Sequence, residues 1–128
     1  MGLALQFEVP GPPVPAARAR IVRRRPWSKP RGITPARTES YEEKVGLCTM
    51  RAMAAARWPR DGKGPFGLRV DVYRSADRGD ASNFLKGVED GMSRAHVWAN
   101  DSRIHDTRAR LFIDRERPRA EIFVWVLP

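Results

Sequence analysis

The sequence is poor in the residues that form disulfides and zinc sites. Its 128 residues include one cysteine, Cys48, and two histidines, His96 and His105. A lone cysteine cannot form an internal disulfide, and these three residues lack the spacing of a zinc site. No apolar run has the length of a membrane span, and the first residues do not resemble a signal peptide. These absences predict a soluble protein of the cytoplasm.

Acidic residues are missing from residues 10–38, although the chain has 15 of them in all. The net charge is +9, which favours a polyanionic partner such as nucleic acid. Prolines and Gly32 predict a long loop without regular structure, and the aromatic ring of Trp27 suits a stacked base. The alternative is a solvated basic tail, but the concentration of charge favours DNA contact. The candidate DNA-binding residues are Arg18, Arg20, Arg23, Arg24, Arg25, Lys29, Arg31 and Arg37.

The length predicts a single domain over residues 1–128. Alternating apolar residues indicate strands, and apolar residues at three- and four-residue spacing indicate helices. The predicted order is β-α-β-α-β-β, an α+β fold with two helices packed on a mixed or antiparallel sheet. The predicted strands are Leu3–Val9, Phe66–Tyr73, Arg103–Ile113 and Ala120–Leu127, and the helices start near Thr38 or Ser40 and near Asp80.

Several local features of this fold are also predicted. Ser40 and Glu43 have capping-box spacing at the start of the first helix, which should end near Trp58. Its buried stripe is predicted from the spacing of Tyr41, Val45, Cys48, Ala52 and Ala55. The strand from Phe66 alternates and should bury one face, and Asp114 to Pro118 should be a hairpin loop between the last two strands. Apolar residues on both faces of the last strand predict that helices or a partner subunit cover both.

The second helix has an apolar and a polar face. Leu85, Val88, Met92 and Ala95 form the apolar stripe, and Ser82 suits the N-cap. Gly87 and Gly91 weaken the helix by roughly 1 kcal/mol each relative to alanine. Their spacing therefore indicates that another backbone approaches the helix closely.

The polar face of this helix carries the candidate catalytic residues. Carboxylates near both ends and on the face, together with a lysine and an amide, suit a divalent metal acting on a phosphate. The residues are Asp80, Asn83, Lys86, Asp90 and Asp101. Other roles are open: Asp80 at the helix dipole, Asp101 in an Asx-turn with Ser102, and Lys86 with Asp90 in a surface ion pair.

A His-Asn-His nuclease is the other metal-dependent class to consider, because His96, Asn100 and His105 occur in that order. That site requires a β-hairpin followed by a helix, whereas these residues follow a helix and lead into a strand. We therefore reject it. His96 is predicted at the helix C-terminus and His105 on a strand, facing water.

The spacing Asp80-x-x-Asn83-x-x-Lys86-x-x-x-Asp90, followed by Trp98-x-x-Asp101-Ser102-x-Ile104, resembles the RusA-type Holliday junction resolvases. Val9-Pro10-Gly11-Pro12-Pro13, the arginine-rich loop and Thr34-Pro35-x-x-Thr38-x-x-Tyr41-Glu42 agree with the same family in order and spacing. The resemblance implies a homodimeric endonuclease of bacteria or their phages that uses Mg²⁺, with Mn²⁺ as the other candidate, to cut branched DNA in recombination and repair. Asp80 and Asp101 would hold the metal with Asp90 as an accessory ligand, Lys86 would stabilise the transition state, and Asn83 would orient a ligand or phosphate.

The chain departs from that family at two positions. Ser82 and Asn100 stand where the family has acidic residues. Two other functions are therefore open: a junction-binding protein that has lost catalysis, and a non-enzymatic basic protein that coats nucleic acid.

Overall fold

The computed structural model describes residues 4–17, 20–22, 31–33, 35–59 and 61–128. A short 3₁₀ helix, Asp101–Arg103, follows the second α-helix. The other elements, in chain order, are β1 Ala4–Pro10, β2 Arg20–Val22, β3 Arg31–Ile33, α1 Ala36–Ala56, β4 Phe66–Arg74, α2 Ala81–Arg94, β5 Ile104–Ile113 and β6 Arg119–Val126. The predicted α+β fold and the order of its main elements are confirmed.

The main sheet is mixed and has the strand order β1-β6-β4-β5. β4 pairs in parallel with β5 and antiparallel with β6. The predicted hairpin between the last two strands is therefore wrong, because β4 lies between them. The chain leaves β4, crosses along α2 and returns as β5 on one side of β4, and β6 then adds on the other side.

β4 is buried on both faces, so the prediction of one buried face is also wrong. Leu68, Val70 and Val72 are fully buried on the inner face, beneath the helices. On the outer face, Asp71 is only 2% exposed. A strand with a neighbour on each side cannot expose its edges either, and this central position explains why β4 is so completely covered.

The outer face of the sheet is covered by its own arginine and aromatic side chains. The guanidinium of Arg69 lies 4.3 Å from the ring centroid of Phe123, and that of Arg119 lies 3.8 Å from the Tyr73 centroid. Such cation–π contacts bury rings without a second layer of helices. The predicted covering of both faces by helices is therefore wrong, while covering of the outer face by a partner subunit stays a prediction.

Asp71 accepts hydrogen bonds from Arg110 at 2.8 Å and Arg69 at 3.1 Å. The hydrogen bond from Arg110 is the largest cause that lowers the Asp71 pKa below its ordinary 3.8. Its stabilising contribution is therefore present above pH 3.8 and is lost as the pH falls through the lowered pKa. Because both arginines are partly exposed, Asp71→Asn should reduce the free energy of unfolding by only about 1–2 kcal/mol. Urea unfolding should show this difference at pH 7 and a smaller one in acid; a pH-independent difference would contradict the assignment.

α1 starts earlier than predicted and without a side-chain cap. Pro35 occupies the N-cap, so Ser40 lies inside the helix and the predicted capping box with Glu43 does not form. The predicted stripe is partly wrong, since Cys48 and Ala52 are half-buried and Ala55 is exposed. The buried residues of α1 are Thr38, Tyr41, Glu42, Val45, Gly46, Thr49 and Met53.

Two of these buried residues are polar and could not be predicted as buried from hydrophobicity, but each makes a hydrogen bond within the protein. The hydroxyl of Thr49 donates to the Val45 carbonyl at 2.7 Å. Glu42 accepts from Arg94 of α2 at 2.9 Å, which ties the two helices together. Burial of such groups is tolerated when they are paired.

Residues 10–38 are not wholly irregular, contrary to the prediction. β2 and β3 form an antiparallel pair in which Arg20 lies opposite Ile33 and Val22 opposite Arg31. The β-branched residues in these short runs favour extended backbone despite the flanking prolines. The candidate DNA-binding residues Arg18, Arg23, Arg24, Arg25 and Lys29, with Trp27, lie outside the described residues.

No helix in the described part of the chain is long and apolar enough to cross a membrane.

Candidate functional site

The inner face of α2 is held by close backbone contacts at its two glycines. A Cβ on Gly91 would lie 2.9 Å from the Glu42 carbonyl oxygen of α1, and one on Gly87 would lie 3.0 Å from the Val14 carbonyl oxygen. The predicted close approach at Gly87 and Gly91 is therefore confirmed. The Ala16 N–H also donates to the Asn83 carbonyl at 2.9 Å. These contacts fix α2 with its polar face toward solvent.

The apolar stripe of α2 is largely as predicted. Val88, Met92 and Ala95 are buried, whereas Leu85 is only half-buried and Phe84 takes its place in the core. His96 lies just beyond the helix, which ends at Arg94, so it is not the helical residue that was predicted. His105 is exposed on β5, as predicted.

Asp80, not Ser82, caps α2. Its Oδ1 accepts from the Asn83 N–H and from the Ser82 hydroxyl, each at 3.0 Å. The prediction of Ser82 as the N-cap is wrong because the helix begins at Ala81, which places Ser82 in the first turn. Ser82 therefore orients the Asp80 carboxylate, whose Oδ2 makes no hydrogen bond to the described residues.

The backbone before Asp80 is fixed by Arg74, the last residue of β4. Its Nη1 donates to the carbonyls of Arg78 and Gly79, both at 3.1 Å. Gly79 has a φ of +84°, and a Cβ there would lie 2.8 Å from the Phe84 ring. This position therefore requires glycine. The strand end thus sets the orientation of the first candidate carboxylate.

The N-cap role of Asp80 can be tested by measuring the stability of the fold. Asp80→Ala should lower the free energy of unfolding by about 1 kcal/mol, because it removes the acceptor for the Asn83 N–H. Ser82→Ala should cost clearly less, since the cap bond remains. Urea unfolding of the two variants measures the difference. A larger loss for Ser82→Ala would show that the hydroxyl, not the carboxylate, stabilises the helix start.

Lys86 and Asp90 form an ion pair on the exposed side of α2, with Nζ 3.0 Å from Oδ1. The surface ion pair considered from the sequence is thus present. The hydrogen bond to Asp90 is the main cause that raises the Lys86 pKa, and Glu89 and Asp101 raise it further. Lys86 is therefore a positively charged side chain, positioned by Asp90, whose other charged neighbours are acidic.

Glu89 belongs to this group, although the sequence did not single it out. Desolvation is the first cause that raises the Glu89 pKa, and Asp90 and Asp101 add to it while Lys86 opposes it. Glu89 lies three residues after Lys86, a helical spacing that places both on one side. This spacing is the only feature of the sequence that could have indicated Glu89. Because Glu89 lies at the border of the apolar face, the pattern gave no reason to select it as a site residue.

Asp101 lies in a loop with fixed ends. Trp98 is 3% exposed, and its Nε1 donates to the Ser93 hydroxyl at 2.9 Å. The Ala99 N–H donates to the Gly62 carbonyl at 3.0 Å, and Arg103 Nε donates to the Lys63 carbonyl at 2.7 Å. These bonds hold the loop against residues 61–64 on both sides of Asp101.

Asn100, and not Asp101, forms the Asx-turn with Ser102 that the sequence suggested. Its Oδ1 accepts from the Ser102 N–H at 2.9 Å and caps the 3₁₀ helix. Asn100 therefore has a structural role at the start of the 3₁₀ helix. The exposed Asp101 carboxylate makes no hydrogen bond to the described residues and remains available to a ligand.

The structure brings some candidates together and separates others. Asp101 lies near enough to Lys86 and Glu89 to shift their pKa values. Asp80 and Asp90 are ten residues apart on one helix, about 15 Å along its axis, too far for one ion to contact both. Among the described residues, no three His, Cys, Asp or Glu side chains form a group that could hold a metal.

A protein-family model described as Endodeoxyribonuclease RusA matches residues 10–125. This match covers nearly the whole chain, so the chain belongs to the RusA endodeoxyribonuclease family. No curated protein matches the chain with significant similarity. The family defines a hydrolase that acts on DNA, and the exposed polar face of α2 is the candidate site for that reaction.

Proposed function

We propose that this protein is a Mg²⁺-dependent, structure-selective endonuclease that resolves four-way DNA junctions in recombination and repair, in the cytoplasm of a bacterial host. The observation that carries the proposal is the arrangement of Asp80, Lys86 and Asp101. Asp80 at the N-cap of α2 and Asp101 in the following 3₁₀ helix are exposed and form no ion pair within the described residues, and Asp101 lies near Lys86. Exposed carboxylates are ligands that Mg²⁺ accepts.

The donor set fits Mg²⁺ in its chemistry. The ion prefers oxygen ligands and commonly takes only one or two carboxylates from the protein, with water and phosphate completing its shell. Within the described part of the chain, Oδ2 of Asp80 and the carboxylate of Asp101 make no hydrogen bond, so two carboxylates are available to an ion. Asp90 was predicted as an accessory ligand, but its bond to Lys86 favours a positioning role instead. Mn²⁺ accepts the same ligands.

In this mechanism, Asp80 and Asp101 would hold the ion, which supplies Lewis acidity for phosphodiester hydrolysis when bound. Ser82 orients the Asp80 carboxylate through its hydroxyl. Lys86, held by Asp90, offsets the negative charge that develops on the phosphate in the transition state. Asn83, exposed at the start of α2, orients the phosphate or a ligand.

DNA affinity would come mainly from the basic residues of 10–38, where eight positive charges occur without an acid. Contacts to backbone phosphates of this kind give strong but salt-dependent binding. Since a four-way junction has two equivalent strands to cut, the active form would be a twofold dimer, the commonest oligomer. The exposed face of α1 around Leu47 is the surface we assign to that dimer.

A metal titration with labelled DNA tests the function. Cleavage of four-way junctions, but not of linear duplex, with Mg²⁺ or Mn²⁺ would support the resolvase. Tight junction binding without cleavage would identify a protein that has lost catalysis, as Ser82 and Asn100 in place of acids allow. Equal affinity for every polyanion would identify a non-enzymatic basic protein.

Ser82→Asp sharpens this test. The new carboxylate would lie beside Oδ1 of Asp80, where the Ser82 hydroxyl now approaches to 3.0 Å. Two like charges at this distance repel each other unless a cation binds between them. We therefore expect a lower Mg²⁺ concentration for half-maximal cleavage, measured by initial rates across a titration. Unchanged Mg²⁺ dependence would contradict a metal at Asp80, and cleavage by this variant alone would show that the native chain has lost catalysis.

A further inference from the structure

A cleft of about 330 Å³ lies at the start of α2, on the N-terminal side of the group around Lys86. One wall is the proline segment 12–15 that follows β1, and a second is the first turn of α1. The third wall is the connection from β4 to α2, residues 74–79. The cleft ends at Gly79, directly before Asp80, and therefore adjoins the first proposed metal ligand.

The charge of this cleft is positive. Three arginines line it, Arg37, Arg74 and Arg78, and none of the described lining residues is acidic. Arg74 is 11% exposed and pairs with Asp77, whose side chain is 84% exposed and thus largely solvated. Arg37 and Arg78 are exposed and have no ion pair among the residues that the structure describes. The cleft therefore presents two available guanidinium groups beside a third that is fixed.

Contacts within the protein hold two of the walls in place. The bond from Ala16 to Asn83 and the close contact of Gly87 with Val14 hold the proline segment on α2. The bonds from Arg74 to the carbonyls of Arg78 and Gly79 hold the opposite wall. A preformed site loses little conformational freedom on binding, which favours affinity.

We propose that this cleft binds a phosphate of the DNA backbone that neighbours the phosphate to be cut. Guanidinium groups bind phosphate oxygens through charge-assisted and often bidentate hydrogen bonds. A strand whose scissile phosphate lies at Asp80 would place its next phosphates along the adjoining cleft. Arg37 and Arg78 bind the phosphate, and Arg74 acts as a positioning residue that holds Arg78. This inference rests on the proposed function only in placing the cut at Asp80.

Binding measured without metal separates this proposal from the nuclease proposal. Fluorescence anisotropy of a labelled four-way junction in EDTA would compare wild type, Arg37→Ala/Arg78→Ala and the charge-matched control Arg57→Ala/Arg115→Ala. Both control residues are exposed, and Arg57, at the C-cap of α1, is about 30 Å along the helix from Arg37. The cleft variant should bind about tenfold more weakly, and its slope of log affinity against log salt should be flatter by about 0.9 for each phosphate that it no longer binds. Equal binding by the cleft variant and the control would overturn the proposal.

Replacing single phosphates of the junction by uncharged methylphosphonates shows which phosphate the cleft binds. Junctions that each carry one methylphosphonate near the branch point should include a position that weakens wild-type binding severalfold and leaves the double variant of Arg37 and Arg78 unaffected. We call this dependence of the methylphosphonate effect on Arg37 and Arg78 coupling. If no position shows it, the cleft does not bind the DNA backbone. Inorganic phosphate that stabilises wild type, without such a position, would identify an anion pocket and also overturn the proposal. Coupling together with an inert wild type would support the cleft while the nuclease proposal fails.

Discussion

Asp101→Asn should reduce the rate of junction cleavage at least a hundredfold, which corresponds to about 2.7 kcal/mol in the activation barrier. The substitution keeps the size of the side chain and removes the charge that would hold the ion. The Asp101 loop has other anchors, at Trp98, Ala99 and Arg103, so the fold should not change. Junction binding in EDTA should be equal or tighter, because one negative charge no longer repels the phosphates.

The matched control is Glu116→Gln, which removes one negative charge from the exposed turn between β5 and β6. This variant should cleave at the wild-type rate. Asp80→Asn should behave like Asp101→Asn, because asparagine also caps helices well and the helix start stays intact. Wild-type rates for either aspartate variant across a full Mg²⁺ titration would exclude the proposed metal site.

The fold was predictable where one pattern determined it. Apolar alternation located β1, β4 and β6, and the helical spacing of Val88 and Met92 located α2. The sheet order was not predictable, because hydrophobicity does not show that β4 separates β5 from β6. The burial of Asp71 was not predictable for a related reason. Its partner Arg110 is on another strand, and the two residues are neighbours only because β4 pairs with β5.

The sequence suggests candidate residues for the site, but it does not show the hydrogen bonds that they make. The spacing predicts Asp80, Lys86 and Asp101 as site residues, and the family match covers the stretch that contains them. Their roles stay a prediction. The N-cap is Asp80 and not Ser82, because a difference of two residues in the helix start decides which side chain reaches the free N–H groups. Glu89 and the arginine cleft depend on how the elements come together, which no local pattern records.

Leu47→Glu should convert the proposed dimer into a monomer. Leu47 and Met50 are 58% and 56% exposed on α1, the largest exposures among the large hydrophobic residues that the structure describes. They lie three residues apart, about one helical turn, so they form one small apolar surface on α1 that a dimer contact would bury. The outer face of the sheet, with Phe123 and Trp125, was the other candidate. The arginines of that face are already paired with its acids, Asp71, Asp106, Glu8 and Glu121, and its aromatic rings are half-buried. We therefore assign the dimer to the more exposed apolar residues of α1.

The charges beside Leu47 are self-complementary for two antiparallel α1 helices. Glu43 lies four residues before Leu47 and Arg51 four residues after it, and both are exposed. A twofold axis at Leu47 would place each Glu43 opposite Arg51 of a second copy. A self-complementary surface of this kind is what a twofold interface requires.

Sedimentation at micromolar concentration tests this interface, because every substitution acts twice in a twofold dimer. Leu47→Glu should weaken dimerisation at least a hundredfold, since it places two carboxylates in the apolar centre. Glu43→Arg should also weaken it by opposing like charges, and Glu43→Arg/Arg51→Glu should restore it by exchanging the two partners. The monomeric variant should nick one strand of a junction where the dimer cuts both. A wild-type monomer, with or without DNA, would exclude the dimer, and a dimer unaffected by Leu47→Glu and Glu43→Arg would exclude α1 as its interface.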